Sequence, residues 1–157
     1  MAFTYSIEQS NIADAVKRRS NVMVNAVAGS GKTTTIKLLI ETINPDYAIV
    51  LMYNKTLCEE TKKRMGLLIN RSNINRSNII VSTIHGSATR LYGTVCKNDI
   101  ALDNVINSNV SLIPGILSHC LSSRKESQNG PPTGLIIIDE AQDLAPFHVN
   151  YINKVCW

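Results

Sequence analysis

Residues Ala26-Val-Ala-Gly-Ser-Gly-Lys-Thr33 decide how this chain is read. They lie between an apolar run, Asn21 to Val27, and a segment of helical character, Lys32 to Ile43, the setting of a phosphate-binding loop between a strand and a helix. Gly29 and Gly31 let backbone N–H groups converge on a phosphate, with Ala28 and Ser30 completing the loop, and the helix directs its positive end to the same point. Lys32 would reach the β and γ phosphates. The Thr33 hydroxyl would complete the coordination of a bridging Mg²⁺, with Thr34 beside it. Ala26 stands where the general pattern has glycine, and its small side chain still permits tight packing. The bland alternative, a Gly-Ser turn before a helix, does not account for the apolar run in front of it.

A second signal lies near the other end. Leu135-Ile-Ile-Ile-Asp-Glu-Ala-Gln-Asp143 reads as a buried strand that delivers two adjacent carboxylates to the carboxyl edge of a sheet, where ligands of α/β folds bind. Asp139 would hold Mg²⁺ and Glu140 would orient and deprotonate the attacking water. Acids at a helix N-terminus would explain the pair alone. Together with the phosphate loop, the pair supplies both halves of a Mg-nucleotide triphosphate site.

Working outward, four runs rich in β-branched residues read as strands: Asn21 to Val27, Tyr47 to Tyr53, Asn78 to Ser82 and Gly134 to Asp139. Their apolar character predicts burial on both faces. Between them lie helical patterns over Ile7 to Arg19, Lys32 to Ile43, Lys55 to Met65 closed by Gly66, and Ser87 to Leu121. The alternation predicts an α/β fold with a mainly parallel sheet flanked by helices. At 157 residues the chain has room for one core. A net charge of +4 permits a polyanionic partner without requiring one.

No run is long enough to span a membrane, and the charged first 20 residues do not resemble a signal peptide, so an intracellular location, nuclear or cytoplasmic, is expected. The four cysteines are dispersed without a C-x-x-C pair, which argues against a zinc cluster or disulfide scaffold. The tandem repeat of Asn-Arg-Ser-Asn-Ile over residues 70–79 reads as a solvated loop, with a DNA-contacting arginine loop as the alternative. Ser122 to Gly134, with Pro131-Pro132, reads as a surface loop.

The order Gln9, Ala28-Gly-Ser-Gly-Lys-Thr33, Tyr53-Asn-Lys55, Thr83-Ile-His-Gly86 and Asp139-Glu-Ala-Gln-Asp143 resembles the first, RecA-like motor domain of UvrD/Rep-type superfamily 1 DNA helicases, in wording the F-box DNA helicase branch, though no F-box is present. The resemblance implies a P-loop NTPase domain that binds ATP and Mg²⁺, with Lys32 and Glu140 catalytic. Gln9 would read the adenine and Gln142 would link the γ-phosphate to DNA. It also implies that Tyr53, Asn54, Lys55, Thr83 and His85 grip single-stranded DNA, and that movement runs 3′ to 5′. An aromatic ring stacking on a base while polar groups meet the backbone is a sequence-tolerant grip.

Ordinary structural roles compete at several of these positions. Ser6 and Gln9 fit a helix capping box, Asn54 fits a helix N-cap, Tyr53 a strand-end core residue, and Gln142 with Asp143 could cap a helix around Pro146 to Val155. His85, His119 and His148, taken singly, read as structural histidines.

Two departures qualify the resemblance. Residues 87–133 leave room for only a small accessory insertion, and the later motifs, including the arginines of a second motor domain, are absent. Such an arginine finger is worth about 10³ to 10⁵ in rate. The expected domain, residues 1–157, is therefore an incomplete helicase ATP-binding domain with feeble turnover until a second motor domain is supplied. A non-catalytic nucleotide- or DNA-binding remnant is the alternative; a P-loop kinase would leave Tyr53-Asn-Lys and Thr83-Ile-His-Gly unexplained.

Overall fold

Strand β1 (Tyr47–Met52) is buried from Ala48 to Met52, and the rest of the chain is arranged on its two faces. A computed structural model describes residues 4–27, 29–69, 79–108 and 134–156. Helices α1 (Ile7–Lys17) and α2 (Lys32–Ile43) precede β1, and α3 (Lys55–Ile69) follows it. Strand β2 (Ile79–Thr83) leads into α4 (Ile84–Tyr92) and α5 (Asp99–Ser108); β3 (Gly134–Ile138) leads through a 3₁₀ turn, Ala141–Asp143, into α6 (Pro146–Cys156).

The sheet has the order β2-β1-β3 and both pairings are parallel, with Val50 opposite Val81 on one side and Ile137 on the other. Side chains alternate across a strand, so β1 serves two cores. Ala48, Val50 and Met52 pack with Ile36, Leu39 and Ile40 of α2 and with Cys58 and Met65 of α3. Ile49 and Leu51 pack with Ile84, Leu102, Ile106 and Tyr151 from α4, α5 and α6. The result is a helix–sheet–helix sandwich, the expected α/β P-loop architecture. Because the strands are parallel, Tyr53, Ile84 and Asp139 all follow the same, carboxyl, edge of the sheet.

Several expected boundaries move. Asn21 to Val27 does not form a strand: it is irregular and mostly exposed, with Met23 96% accessible. Apolar β-branched composition favours a pleated, buried environment, but a strand exists only where a neighbour accepts its backbone hydrogen bonds. Among the described residues no sheet strand pairs with this segment. The expected burial on both faces holds for β1; β2 and β3 are largely half-buried.

The helices differ too. Helix α1 ends at Lys17, and α3 continues through Gly66 to Ile69, because one glycine inside a helix costs only about 1 kcal/mol. The stretch expected as one helix from Ser87 is two helices separated at Gly93, whose φ of 68° suits glycine and ends α4. Residues 109–121 of that expected helix, the repeat over 70–78 and the loop from Ser122 to residue 133 lie outside the described residues, as do Ala28 and His119. No helix among the described residues is long and apolar enough to cross a membrane.

Tyr5 ties the start of α1 to α2. Its hydroxyl donates to Glu41 Oε2 at 2.9 Å, and Lys37 Nζ lies 3.1 Å from the other carboxylate oxygen. Burial, then the Glu41 carboxylate, pushes the Tyr5 phenol above its ordinary 10.0. The native state thus favours the protonated phenol, so this stabilisation is complete below pH 10.0 and is lost as pH rises through the raised native value. Tyr5→Phe should lower stability by about 1 kcal/mol at neutral pH. In urea unfolding followed by circular dichroism, that deficit should shrink as pH rises above 10.0; a constant deficit would exclude the linkage.

Candidate nucleotide site

The turn before α2 takes the conformation that its glycines predict. Gly29 and Gly31 have φ of 80° and 86°, and Gly31 is the N-cap of α2 with no side-chain acceptor for the first-turn amides. A helix start with left-handed glycines and no side-chain cap is a place where an anion can satisfy backbone donors. A side chain at Gly31 would also meet Gln9 Nε2, 3.1 Å from the ideal Cβ.

Gln9 performs its structural role in this state. Its Oε1 accepts from the Ser6 amide at 3.0 Å, and the Gln9 amide donates to Ser6 Oγ at 3.3 Å, closing a capping box. Nε2 donates to Thr35 Oγ1 at 3.2 Å. Gln9 is thereby drawn against the phosphate loop, but reading an adenine would require it to leave the capping box. Sequence spacing identified the box; Thr35 as its partner was not legible, because it depends on how α1 packs on α2.

At the opposite wall, the Lys32 ammonium pairs with Glu140 Oε1, which places the phosphate loop directly against the end of β3. Gln142 Nε2 donates to Glu140 Oε2 at 2.6 Å. The Lys32 hydrogen bond, then that from Gln142, lowers the Glu140 carboxyl below its ordinary range, and Glu140 in turn raises Lys32. Asp139 behaves differently. It is raised by burial and by the neighbouring Glu140 charge, with Lys32 opposing, while its Oδ1 accepts the Glu140 amide at 3.1 Å. Glu140 has φ 54° and ψ 47°, a left-handed conformation that costs about 1–2 kcal/mol outside glycine. Strain of this kind persists where surrounding contacts hold it, as Lys32 and Gln142 do here.

The other edge loops carry both structural and exposed groups. Asn54 Oδ1 caps α3 by accepting from Thr56 and Leu57 amides at 2.8 and 3.3 Å, and Lys55 is the first residue of α3. Thr83 Oγ1 caps α4 by accepting from Gly86 at 3.0 Å. Tyr53, 41% exposed, stands beside the His85 and His148 rings at centroid distances of 6.2 and 5.1 Å. His85 Nε2 lies 2.9 Å from Asp99 Oδ1.

An AAA domain family profile matches residues 15–156, spanning the phosphate loop and the acidic strand end. The chain belongs to the AAA domain family. Comparison with curated proteins and with solved structures gives no match. Family membership makes this a P-loop NTPase domain, with nucleotide binding, hydrolysis and Mg²⁺ use of the general kind such domains share.

The residues of this AAA domain fit that cofactor set. A hydroxyl at Thr33 and a carboxylate at Asp139 are the hard oxygen donors Mg²⁺ prefers, with a lysine between the loop and the acids. When bound, Mg²⁺ would neutralise phosphate charge. Lys32 would then exchange Glu140 for phosphate oxygens. Held by Lys32, Glu140 is a weak base; once released, its carboxylate regains basicity and can accept a proton from water.

The AAA domain also contains groups that sequence reasoning did not assign. His148, expected to be structural, is 1% exposed and caps α6 through Nδ1, which accepts the Ala145 amide at 3.0 Å. Gln142, for which a cap on this helix was one of two readings, instead binds Glu140. Burial lowers the His148 imidazole, with Asp99 opposing. A histidine three residues after an N-cap was the available signal, but its acceptor role depends on ring orientation.

Proposed function

We propose that this AAA domain is the first motor domain of a UvrD/Rep-type superfamily 1 DNA helicase, binding Mg-ATP and single-stranded DNA and hydrolysing ATP when a second motor domain completes the site. The supporting observation is spatial. Tyr53 follows β1, Thr83 ends β2 and His85 lies just beyond it, at the same sheet edge as Asp139 and Glu140, the latter joined to Lys32. The caps formed by Asn54 and Thr83 employ only their acceptor atoms, Oδ1 and Oγ1. Tyr53 has an exposed face for a base.

Tyr53→Ala should weaken binding of a fluorescent oligothymidylate, measured by anisotropy, by about 5- to 150-fold, the value of one base–aromatic stack. Single-stranded DNA should raise ATP hydrolysis by the domain mixed with its second motor domain. Unaltered oligonucleotide binding by the variant together with no stimulation would refute the DNA assignment. Movement from 3′ to 5′ and the F-box branch rest on the resemblance alone.

A non-catalytic binding module is the second reading, favoured by the irregular backbone of Asn21 to Val27, with which no sheet strand pairs among the described residues. Restored hydrolysis on adding the second motor domain supports the motor; continued inactivity with bound nucleotide supports the module.

A further inference from the structure

Two imidazoles and a carboxylate converge beside the Tyr53 cleft. Asp99 Oδ1 lies 2.9 Å from His85 Nε2 and 3.3 Å from His148 Nε2, and the three atoms all lie within 4.8 Å of one another. Their residues come from α5, α4 and α6, so tertiary packing rather than local spacing brings them together. We propose that His85, Asp99 and His148 form a binding site for a divalent transition metal, with Zn²⁺ the best match.

Two imidazole nitrogens and one carboxylate oxygen are a donor set that zinc accepts, with a fourth position left to water or an anion. Tetrahedral zinc with bonds of about 2.0–2.2 Å keeps its ligand atoms about 3.3 Å apart. The two distances to Asp99 already match that spacing to within a few tenths of an ångström. The inner ligand, His148, is buried, while His85 and Asp99 line an open cleft of about 510 Å³ with Tyr53, Lys97, Asn98 and Ile100. The cleft gives the ion an entry path, and Lys97 favours an anion as the fourth ligand.

Proton positions set the condition for loading. In the metal-free state His148 Nδ1 accepts the Ala145 amide, so Nε2 carries the imidazole proton and donates to Asp99. A metal on Nε2 requires the neutral ring to carry its proton on Nδ1 instead. That proton would face the Ala145 N–H, and the cap of α6 must open. The proton moves between ring nitrogens and none is lost from the imidazole. Metal loading and the α6 cap are therefore competing states of one histidine, and the cap reports which is present.

Titration of the full chain with Co²⁺, a spectroscopic substitute for zinc, tests the site. The expected result is one equivalent bound with the visible absorption of nitrogen and oxygen ligation, and affinity at least about 10-fold lower in Asp99→Asn. In the unaltered protein, Zn²⁺ should accelerate hydrogen exchange of the Ala145 amide. Equal binding by Asp99→Asn, a thiolate charge-transfer band, or no binding would overturn the proposal. Should that variant fail to fold, as circular dichroism would reveal, the Ala145 measurement decides: unchanged exchange under saturating Zn²⁺ overturns the site, and faster exchange supports it.

Discussion

Glu140→Gln is expected to slow nucleotide hydrolysis by roughly 10²- to 10⁴-fold, the usual contribution of a positioned general base, without weakening nucleotide binding. The substitution keeps the size of the side chain and an amide able to bond Gln142, while removing the charge that receives a proton from water. Its effect on binding has a definite sign. In the nucleotide-free protein Lys32 is engaged by Glu140, so a triphosphate must compete with that carboxylate for the ammonium. A neutral glutamine releases Lys32 more readily, and ATP affinity should hold or rise. Single-turnover hydrolysis and equilibrium binding of a fluorescent ATP analogue separate the two effects. Hydrolysis close to that of the unaltered chain would remove Glu140 from the chemistry; reduced affinity would show that it serves binding instead.

The parts of this molecule that sequence reveals are those whose causes are local. The phosphate loop is legible because glycines at 29 and 31 announce positive φ, and both adopt it. β1 is legible because unbroken apolar residues require burial on both faces, and the caps at Ser6 and Asn54 follow from short-range hydrogen-bonding geometry. Asn21 to Val27 has the same composition as a strand and is not one, because pairing is a property of two segments and composition describes only one. The Asp99 network is illegible for a related reason: its three members are on different helices, and no spacing in the chain signals that they meet.

The site divides along the same line. That Lys32 and the acidic pair belong to one centre follows from two motifs at corresponding element ends. That Lys32 is held by Glu140 before nucleotide arrives, or that Glu140 itself is left-handed, depends on the closed geometry of the edge.

Lys32→Ala should lower ATP affinity by about 10- to 150-fold, the loss of a hydrogen bond between charged groups worth about 1.5–3 kcal/mol. The fold should survive, since the Lys32 side chain is 31% exposed and contributes to neither core. Part of the effect arises from what remains. Without the ammonium, Glu140 confronts the triphosphate as an unpaired negative charge and returns toward its ordinary pKa because its largest depressing contact is gone. Lys32→Ala combined with Glu140→Gln should therefore bind ATP more tightly than Lys32→Ala alone. The two substitutions act on groups in direct contact, so their effects should not add. Calorimetric titration of the two single variants and the double variant would measure that coupling. Strict additivity would mean that the Lys32–Glu140 contact has no part in nucleotide binding, and unchanged affinity in Lys32→Ala would show that the loop at 26–33 does not hold phosphate.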